Sequence, residues 1–70
     1  MKISARNQLK GKVIKVNEGS VNTEVIIELA PGINITSIIT KTSAGDLGIR
    51  VGKTVYAVVK ASNVLVGVDH

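Results

Sequence analysis

Residues 9–16 read LKGKVIKV, and their pattern is the clearest indication of secondary structure in this chain. At its start, apolar residues or glycine alternate with lysine, which is the two-residue period of a strand with one face in water. Ile14 and Val16 break this alternation towards the end of the stretch. The pattern therefore predicts a strand that either bends or is covered on both faces.

Two more predicted strands follow, each after a group of turn-forming residues. Residues 17–20 are Asn-Glu-Gly-Ser, and they precede an alternating segment at residues 21–29. Pro31 and Gly32 form the next predicted turn, after which residues 33–40 alternate again. Turns are therefore expected to join the first three strands in sequence.

The second half of the chain is predicted to contain one short helical turn and two further strands. Thr42 or Ser43 offers a hydroxyl as helix N-cap, and Gly48 offers a residue that ends the helix. Residues 54–60 alternate as a fourth strand, and the apolar residues 64–68 form a fifth.

Five short strands with a helical turn between the third and the fourth predict an all-β fold. This order is typical of a small five-stranded Greek-key barrel of the OB type, with residues 1–70 as a single domain. An open meander sheet packed on a partner is the alternative.

A chain of 70 residues buries too little surface for a robust core of its own. Disulfides, metals or association usually supply the missing stability, and this chain has no cysteine and a single histidine, His70. Association is therefore expected. Five apolar residues also lie on strand faces or segments that would be polar in a lone barrel, which favours a subunit interface: Ile14, Ile26, Ile38, Val58 and Leu65.

The charge balance favours an anionic partner. Nine basic residues face five acidic ones, for a net charge of +4, and both nucleic acid and small oxyanions satisfy this condition. No signal peptide and no apolar run of membrane-spanning length is evident, so a cytoplasmic protein without a membrane partner is expected.

The sequence contains few of the residues that enzyme chemistry needs. There is no cysteine nucleophile, and no pair of carboxylates is placed for acid and base catalysis. Asp46, Asp69 and His70 lack the spacing of a metal-cation site. A non-enzymatic protein without a catalytic cofactor is predicted.

Nucleic-acid binding through an OB-type module remains an alternative at this stage. Such modules combine a basic groove with aromatic side chains that stack on bases, and Tyr56 is the only aromatic residue here. Several lysines are interpreted as a solvated strand face that would make at most weak contacts with a phosphate backbone: Lys2, Lys10, Lys12 and Lys15.

Two segments are rich in hydrogen-bond donors and contain no acid. Residues 4–7 are Ser-Ala-Arg-Asn, and residues 60–63 are Lys-Ala-Ser-Asn. A small tetrahedral oxyanion needs several converging donors and at least one positive charge. Either segment alone is equally consistent with a turn cap or a lysine at a strand end.

Four blocks of sequence carry a resemblance to a known family, in order and over nearly the whole chain. They are residues 4–11 (SARNQLKG), 21–25 (VNTEV), 35–40 (ITSIIT) and 58–64 (VVKASNV). Together they resemble molbindin, of the Mop family of molybdate-binding proteins with a TOBE or OB-like domain. The resemblance implies a non-enzymatic protein that binds molybdate or tungstate for intracellular storage and homeostasis.

The resemblance also implies an assembly and a set of site residues. The expected assembly is a homohexamer, a trimer of dimers with exchanged strands, that holds oxyanions between subunits. The residues that the resemblance assigns to the oxyanion are Ser4, Ala5, Arg6, Lys60, Ala61, Ser62 and, from another subunit, Thr40. A second class of site near a symmetry axis is also implied, with Asn22 and Thr23 as its candidates.

Similar modules form part of molybdate-responsive regulators and of molybdate importers. Since neither a helix-turn-helix nor an ATPase region stands beside the module, the free-standing storage form is expected. An isolated regulatory domain of a transporter or sensor is the remaining alternative.

Overall fold

Four strands, one helix and one 3₁₀ turn follow one another along residues 3–69, the part of the chain that the computed structural model describes. The elements are β1 (Asn7–Glu18), β2 (Asn22–Ala30), β3 (Ile33–Thr40), α1 (Lys41–Leu47), β4 (Thr54–Val59) and the 3₁₀ turn Ala61–Asn63.

The four strands form one antiparallel sheet in the order β3-β2-β1-β4. Three consecutive strands are joined by turns, and β4 returns to lie beside the first. This is the Greek-key order, and it confirms that part of the predicted fold.

β1 is the strand on which the sheet is built, because its two halves pair with different partners. Its first half, from Asn7 to Lys12, pairs with β4, and its second half, from Lys12 to Glu18, pairs with β2. The register with β2 is irregular between Val13 and Lys15, so Ile14 is an extra residue in a β-bulge. A bulge bends its strand, which confirms the bend predicted from the broken alternation.

Gly11 lets β1 and β2 approach closely at the turning point of the sheet. A Cβ atom at this position would lie 2.6 Å from the Glu28 carbonyl oxygen and 2.6 Å from Ile27 Cγ2. Both distances are far below van der Waals contact. The glycine in the alternating pattern is therefore required by packing.

The core lies on the inner face of the sheet, and it is small. Its cluster of buried apolar residues is Val13, Val25, Ile27 and Ala57, and Ala44 of α1 is buried as well. The accessible surface is 5474 Å², whereas a compact protein of 7.3 kDa exposes about 4,200 Å². The single chain thus exposes much more surface than its mass requires.

α1 begins two or three residues earlier than the sequence indicated, and its seven residues make about two turns rather than the single turn predicted. Its N-cap is Thr40, whose Oγ1 accepts a hydrogen bond from the Ser43 amide at 3.0 Å, so the prediction of Thr42 or Ser43 as cap is wrong. Gly48 ends the helix as predicted, with φ of 63°. Within residues 3–69, no helix has the length and apolar composition needed to cross a membrane.

The predicted fifth strand is absent from the described chain, and the predicted five-stranded barrel is instead a four-stranded curled sheet. Residues 64–69 have no strand pairing, and Leu65 and Val66 are each 91% exposed. A strand exists only through its hydrogen-bonded neighbour, and no neighbour is available to this segment within residues 3–69. Its apolar sequence was correctly identified, but its pairing was not.

The apolar residues expected at an interface are mostly in contact with solvent. Ile14, Ile38, Val58 and Leu65 are exposed, and Ile26 is half-buried. This distribution agrees with the expectation that their faces are covered by something other than this chain.

We predict that Gly11→Ala destabilises the protein, because the added methyl group forces β1 away from β2. Overpacking of this kind costs about 1–3 kcal/mol. Urea denaturation at a fixed protein concentration measures the change.

Gly45→Ala is the matched control. Nothing lies within 4 Å of a Cβ at Gly45, which sits inside α1, so alanine there is expected to stabilise the protein by about 0.5–1 kcal/mol. Equal effects of the two substitutions would contradict the packing role of Gly11.

Candidate functional site

The two donor-rich segments meet at one end of the sheet. The ladder between β1 and β4 ends at the pair of Asn7 with Val59. Residues 4–6 therefore leave the sheet directly beside residues 60–62. Adjacent strands lie about 5 Å apart, which is close enough for both segments to contact one small anion.

Two cations lie at this junction, and both are accessible. Arg6 and Lys60 are exposed, and they precede and follow the terminal ladder pair by one residue each. The side-chain hydrogen bonds within residues 3–69 engage neither the guanidinium nor the ammonium group. Both groups are available to an anion.

The 3₁₀ turn contributes backbone donors at the same place. Asn63 N donates to Lys60 O at 2.8 Å, and Val64 N donates to Ala61 O at 3.2 Å. The amides of Ala61 and Ser62 stand at the start of this turn, where N–H groups have no partner inside the helix. The exposed Ser62 hydroxyl adds a further donor.

Ser4, Ala5 and Arg6 form a bent segment outside the ladder. Bends occur at Ser4 and Arg6, and Ala5 is half-buried while its neighbours are exposed. The Gln8 side-chain amide donates to the Ala5 carbonyl at 3.0 Å. The sequence gives no signal for this contact, because an amide on a strand is as often a solvated side chain as a hydrogen-bond donor to a loop.

Thr40 lies at the other end of the sheet. It pairs with Asn22 at the start of β2, and the neighbouring Thr23 pairs with Glu18 at the end of β1. Measured along β1, the two ends are about 35 Å apart, in a chain whose longest dimension is 39 Å. One chain therefore does not bring Thr40 together with Arg6 and Lys60.

The Thr40 hydroxyl is engaged within its own chain. Besides capping α1, it donates to Ser43 Oγ at 2.9 Å. Ser43 is exposed and its own proton remains available as a donor. Sequence reasoning treated Ser43 only as a possible cap, whereas the structure places it in one hydroxyl pair with Thr40.

The two candidates for a second site differ in accessibility. Asn22 is exposed beside Thr40 in the sheet. Thr23 is 0% exposed, and its Oγ1 has no hydrogen-bond partner within the described residues. Their assignment to a second site stays a prediction.

The acidic residues of the sheet are kept away from the junction of residues 4–6 with residues 60–62. Glu18, Glu24 and Glu28 all lie where β1 pairs with β2 or on β2 itself. The junction therefore combines two cations, hydroxyl groups and free amides without a carboxylate in the flanking ladder. Such a group of donors can bind an oxyanion, and the flanking ladder offers no carboxylate as acceptor for a protonated one.

Known proteins resemble this chain in both sequence and structure. The family model described as the TOBE domain matches residues 3–66. A probable molybdenum-pterin-binding protein of Haemophilus influenzae is 48% identical over 69 residues, which are 99% of this chain and 100% of that protein. The apo2 structure of MopII from Clostridium pasteurianum superposes with a TM-score of 0.89 and 48% identity, covering 96% of this chain and 100% of that chain.

A longer solved structure gives a similar match. The cytoplasmic molybdate-binding protein ModG, in its PEG-grown form with molybdate bound, superposes with a TM-score of 0.87 and 45% identity. The match covers 93% of this chain and 46% of that chain. The described fold is thus shared with proteins named for molybdate or molybdenum.

We predict that Thr23→Val leaves the free energy of unfolding unchanged or raises it by about 1 kcal/mol. The substitution keeps the shape and removes a buried hydroxyl that has no partner in the described chain. Chemical denaturation measures the change. A loss of more than about 2 kcal/mol would mean that the hydroxyl is hydrogen-bonded in the assembled protein, as a role at a second site between subunits requires.

Proposed function

The chain belongs to the TOBE-domain family and to the Mop proteins within it, and from this membership we propose that it binds molybdate for storage or buffering inside the cell. The observation that supports the proposal is the register of β1 with β4, because its last pair, Asn7 with Val59, is flanked along the chain by Arg6 and Lys60. The printed names of the relatives support the choice of ligand.

The oxyanion is held by side chains and by backbone amides. Ser4, Arg6, Lys60 and Ser62 supply hydroxyl groups and positive charge, and Ala5 and Ala61 belong to segments whose amides are donors. Burying a dianion requires several donors, because each oxygen of the anion loses hydrogen bonds to water on binding and needs protein donors in their place.

Molybdate fits a site that is rich in donors and contains no carboxylate. It is a dianion without a proton, whereas hydrogen phosphate carries an O–H for which a carboxylate would be the strong acceptor. Tungstate has nearly the same size and charge, so it is expected to bind similarly.

Assembly is supported by the surface of the single chain. Its excess over the expected surface is about 1,300 Å², and a standard interface covers about 800 Å² on each partner. An apolar groove of about 480 Å³ opens between the sheet and α1, with Val25, Ile39, Ile49 and Val55 among its lining residues. The unpaired apolar segment at residues 64–68 of a second copy has the chemistry to fill it.

We infer a homohexamer, arranged as a trimer of dimers with exchanged strands. In this assembly Arg6 and Lys60 come from one subunit and Thr40 from another, because a single chain keeps them at opposite ends of the sheet. The ligand then stabilises the assembly by binding only to its associated form.

We propose a cytoplasmic location and a binding role without enzymatic activity. ModG is described as cytoplasmic, and the relatives are named for binding. A nucleic-acid-binding role has weaker support, since Tyr56 is the only aromatic residue available to stack on a base.

We predict that Arg6→Ala and Lys60→Ala each weaken molybdate binding roughly ten- to a hundredfold, as expected when a hydrogen bond to a charged group is lost. Equilibrium dialysis with molybdate measures the affinity, and native mass spectrometry checks that the assembly is intact.

Lys12→Ala is the control, because it removes one positive charge as each junction variant does. Lys12 lies on β1 opposite Glu28 and away from the junction. Unchanged affinity in both junction variants, or an equal loss in the control, would contradict the assignment of the site.

A subunit-mixing experiment tests whether the site lies between chains. Thr40→Asp keeps a side-chain acceptor for capping α1 but places a negative charge where the anion is expected. We predict that Arg6→Ala chains and Thr40→Asp chains each bind molybdate poorly alone. Assemblies refolded from an equal mixture regain a fraction of sites with wild-type affinity, because some sites combine an intact Arg6 with an intact Thr40.

Dialysis of the mixture against molybdate counts the restored sites. A mixture of wild-type chains with chains carrying both substitutions serves as the control for refolding. No restoration in the mixture of single variants would contradict a site shared between subunits.

A further inference from the structure

One side-chain hydrogen bond links the donor segment at residues 4–6 to β1. This segment lies beyond the last ladder pair, and within residues 3–69 it takes part in no backbone hydrogen bond of a turn or loop. The Gln8 side chain reaches back three residues and donates from Nε2 to the Ala5 carbonyl at 3.0 Å.

We propose that Gln8 is a positioning residue of the oxyanion site, which orients the amide of Arg6 by holding the carbonyl of Ala5. The inference rests on the proposed function and names a residue to which that function assigns no role.

The geometry of one peptide bond links the Ala5 carbonyl to the Arg6 amide. The Ala5 carbonyl and the Arg6 N–H belong to the same planar trans peptide, so they point in opposite directions. A hydrogen bond that draws the carbonyl towards Gln8 therefore turns the Arg6 amide away from Gln8. It also occupies an acceptor that would repel a dianion if it faced the site.

Gln8 is well placed to hold the Ala5 carbonyl, a contact that we call the clamp. Its backbone lies within the ladder, paired with Val58 one step inside the terminal pair. The side chain thus extends from a residue of a strand that is paired with β4, whereas residues 4–6 have no strand partner. A side chain carried by a regular strand is held more precisely than one carried by a loop, so it can fix the position of a loop that it contacts.

A neutral amide is the suitable group at this position. Glutamate has the same length, but its ionised carboxylate cannot donate to a carbonyl and would add a negative charge near the anion. The choice of glutamine provides a donor and keeps carboxylates away from the junction.

Losing the clamp reduces the fraction of molecules whose donors are already oriented. The apparent affinity falls in proportion to that fraction. For the loss of one neutral hydrogen bond, we expect affinity for molybdate to decrease about threefold to tenfold.

Gln8→Met tests the proposal, because methionine has a similar length and no donor. Thr54→Val is the matched control, since it is an exposed polar-to-apolar exchange on β4, opposite Lys12. Molybdate affinity is measured by equilibrium dialysis at several salt concentrations, and native mass and thermal stability are recorded for each assembled variant. Amide hydrogen exchange at Ala5 and Arg6 is measured in the ligand-free assembly.

The expected result for Gln8→Met is weaker binding and faster exchange at Ala5 and Arg6, with the native mass, the thermal stability and the salt dependence of wild type. Salt dependence should stay the same because no charge is removed. Thr54→Val should match wild type in every measurement.

Two results would overturn the positioning role while leaving the proposed function intact. One is wild-type affinity in Gln8→Met, and the other is a loss of affinity that accompanies a lower native mass or a lower thermal stability. Absence of molybdate binding in the wild-type assembly would instead overturn the proposed function, and the positioning role with it.

Discussion

The double pairing of β1 is the constraint on which the rest of the structure depends. The twelve-residue strand β1 pairs with β4 through its first half and with β2 through its second half. The bulge at Ile14 bends the strand near the change of partner. Gly11 permits the close approach that this bend requires. Because β1 and β4 run antiparallel, the residues just before β1 and just after β4 must emerge side by side. The proposed oxyanion site is a direct consequence of that register.

Charge placement makes this junction different from the rest of the sheet. The glutamates of β1 and β2 are confined to the half of the sheet away from Arg6 and Lys60. A site without carboxylates suits an unprotonated dianion. One chain supplies only part of the proposed donor set, because it keeps Thr40 at the opposite end of the sheet from Arg6 and Lys60. The proposed contribution of a hydroxyl from a second subunit links ligand binding to assembly, so that the ligand and the interface stabilise each other.

The small core gives a physical reason for association. Five apolar side chains are buried within the described chain, while residues 64–68 are mostly apolar and exposed. In the assembly that we propose, contacts between subunits bury apolar surface that the single chain leaves exposed.

The strands, the turns and the hydrogen-bond donors could be read from the residues alone. The two-residue alternation predicts β1 to β4 within a few residues, its break predicts the bend, and Gly48 predicts the end of α1, because each depends on local chemistry. The pairing partners, in contrast, are defined by the folded chain. It pairs Asn7 with Val59, separates Thr40 from Arg6, places the helix cap at Thr40 and leaves residues 64–68 unpaired. Strand pairing joins residues far apart in the chain, so no local pattern specifies it, and the Gln8 contact with Ala5 depends on a bend that only the folded chain defines.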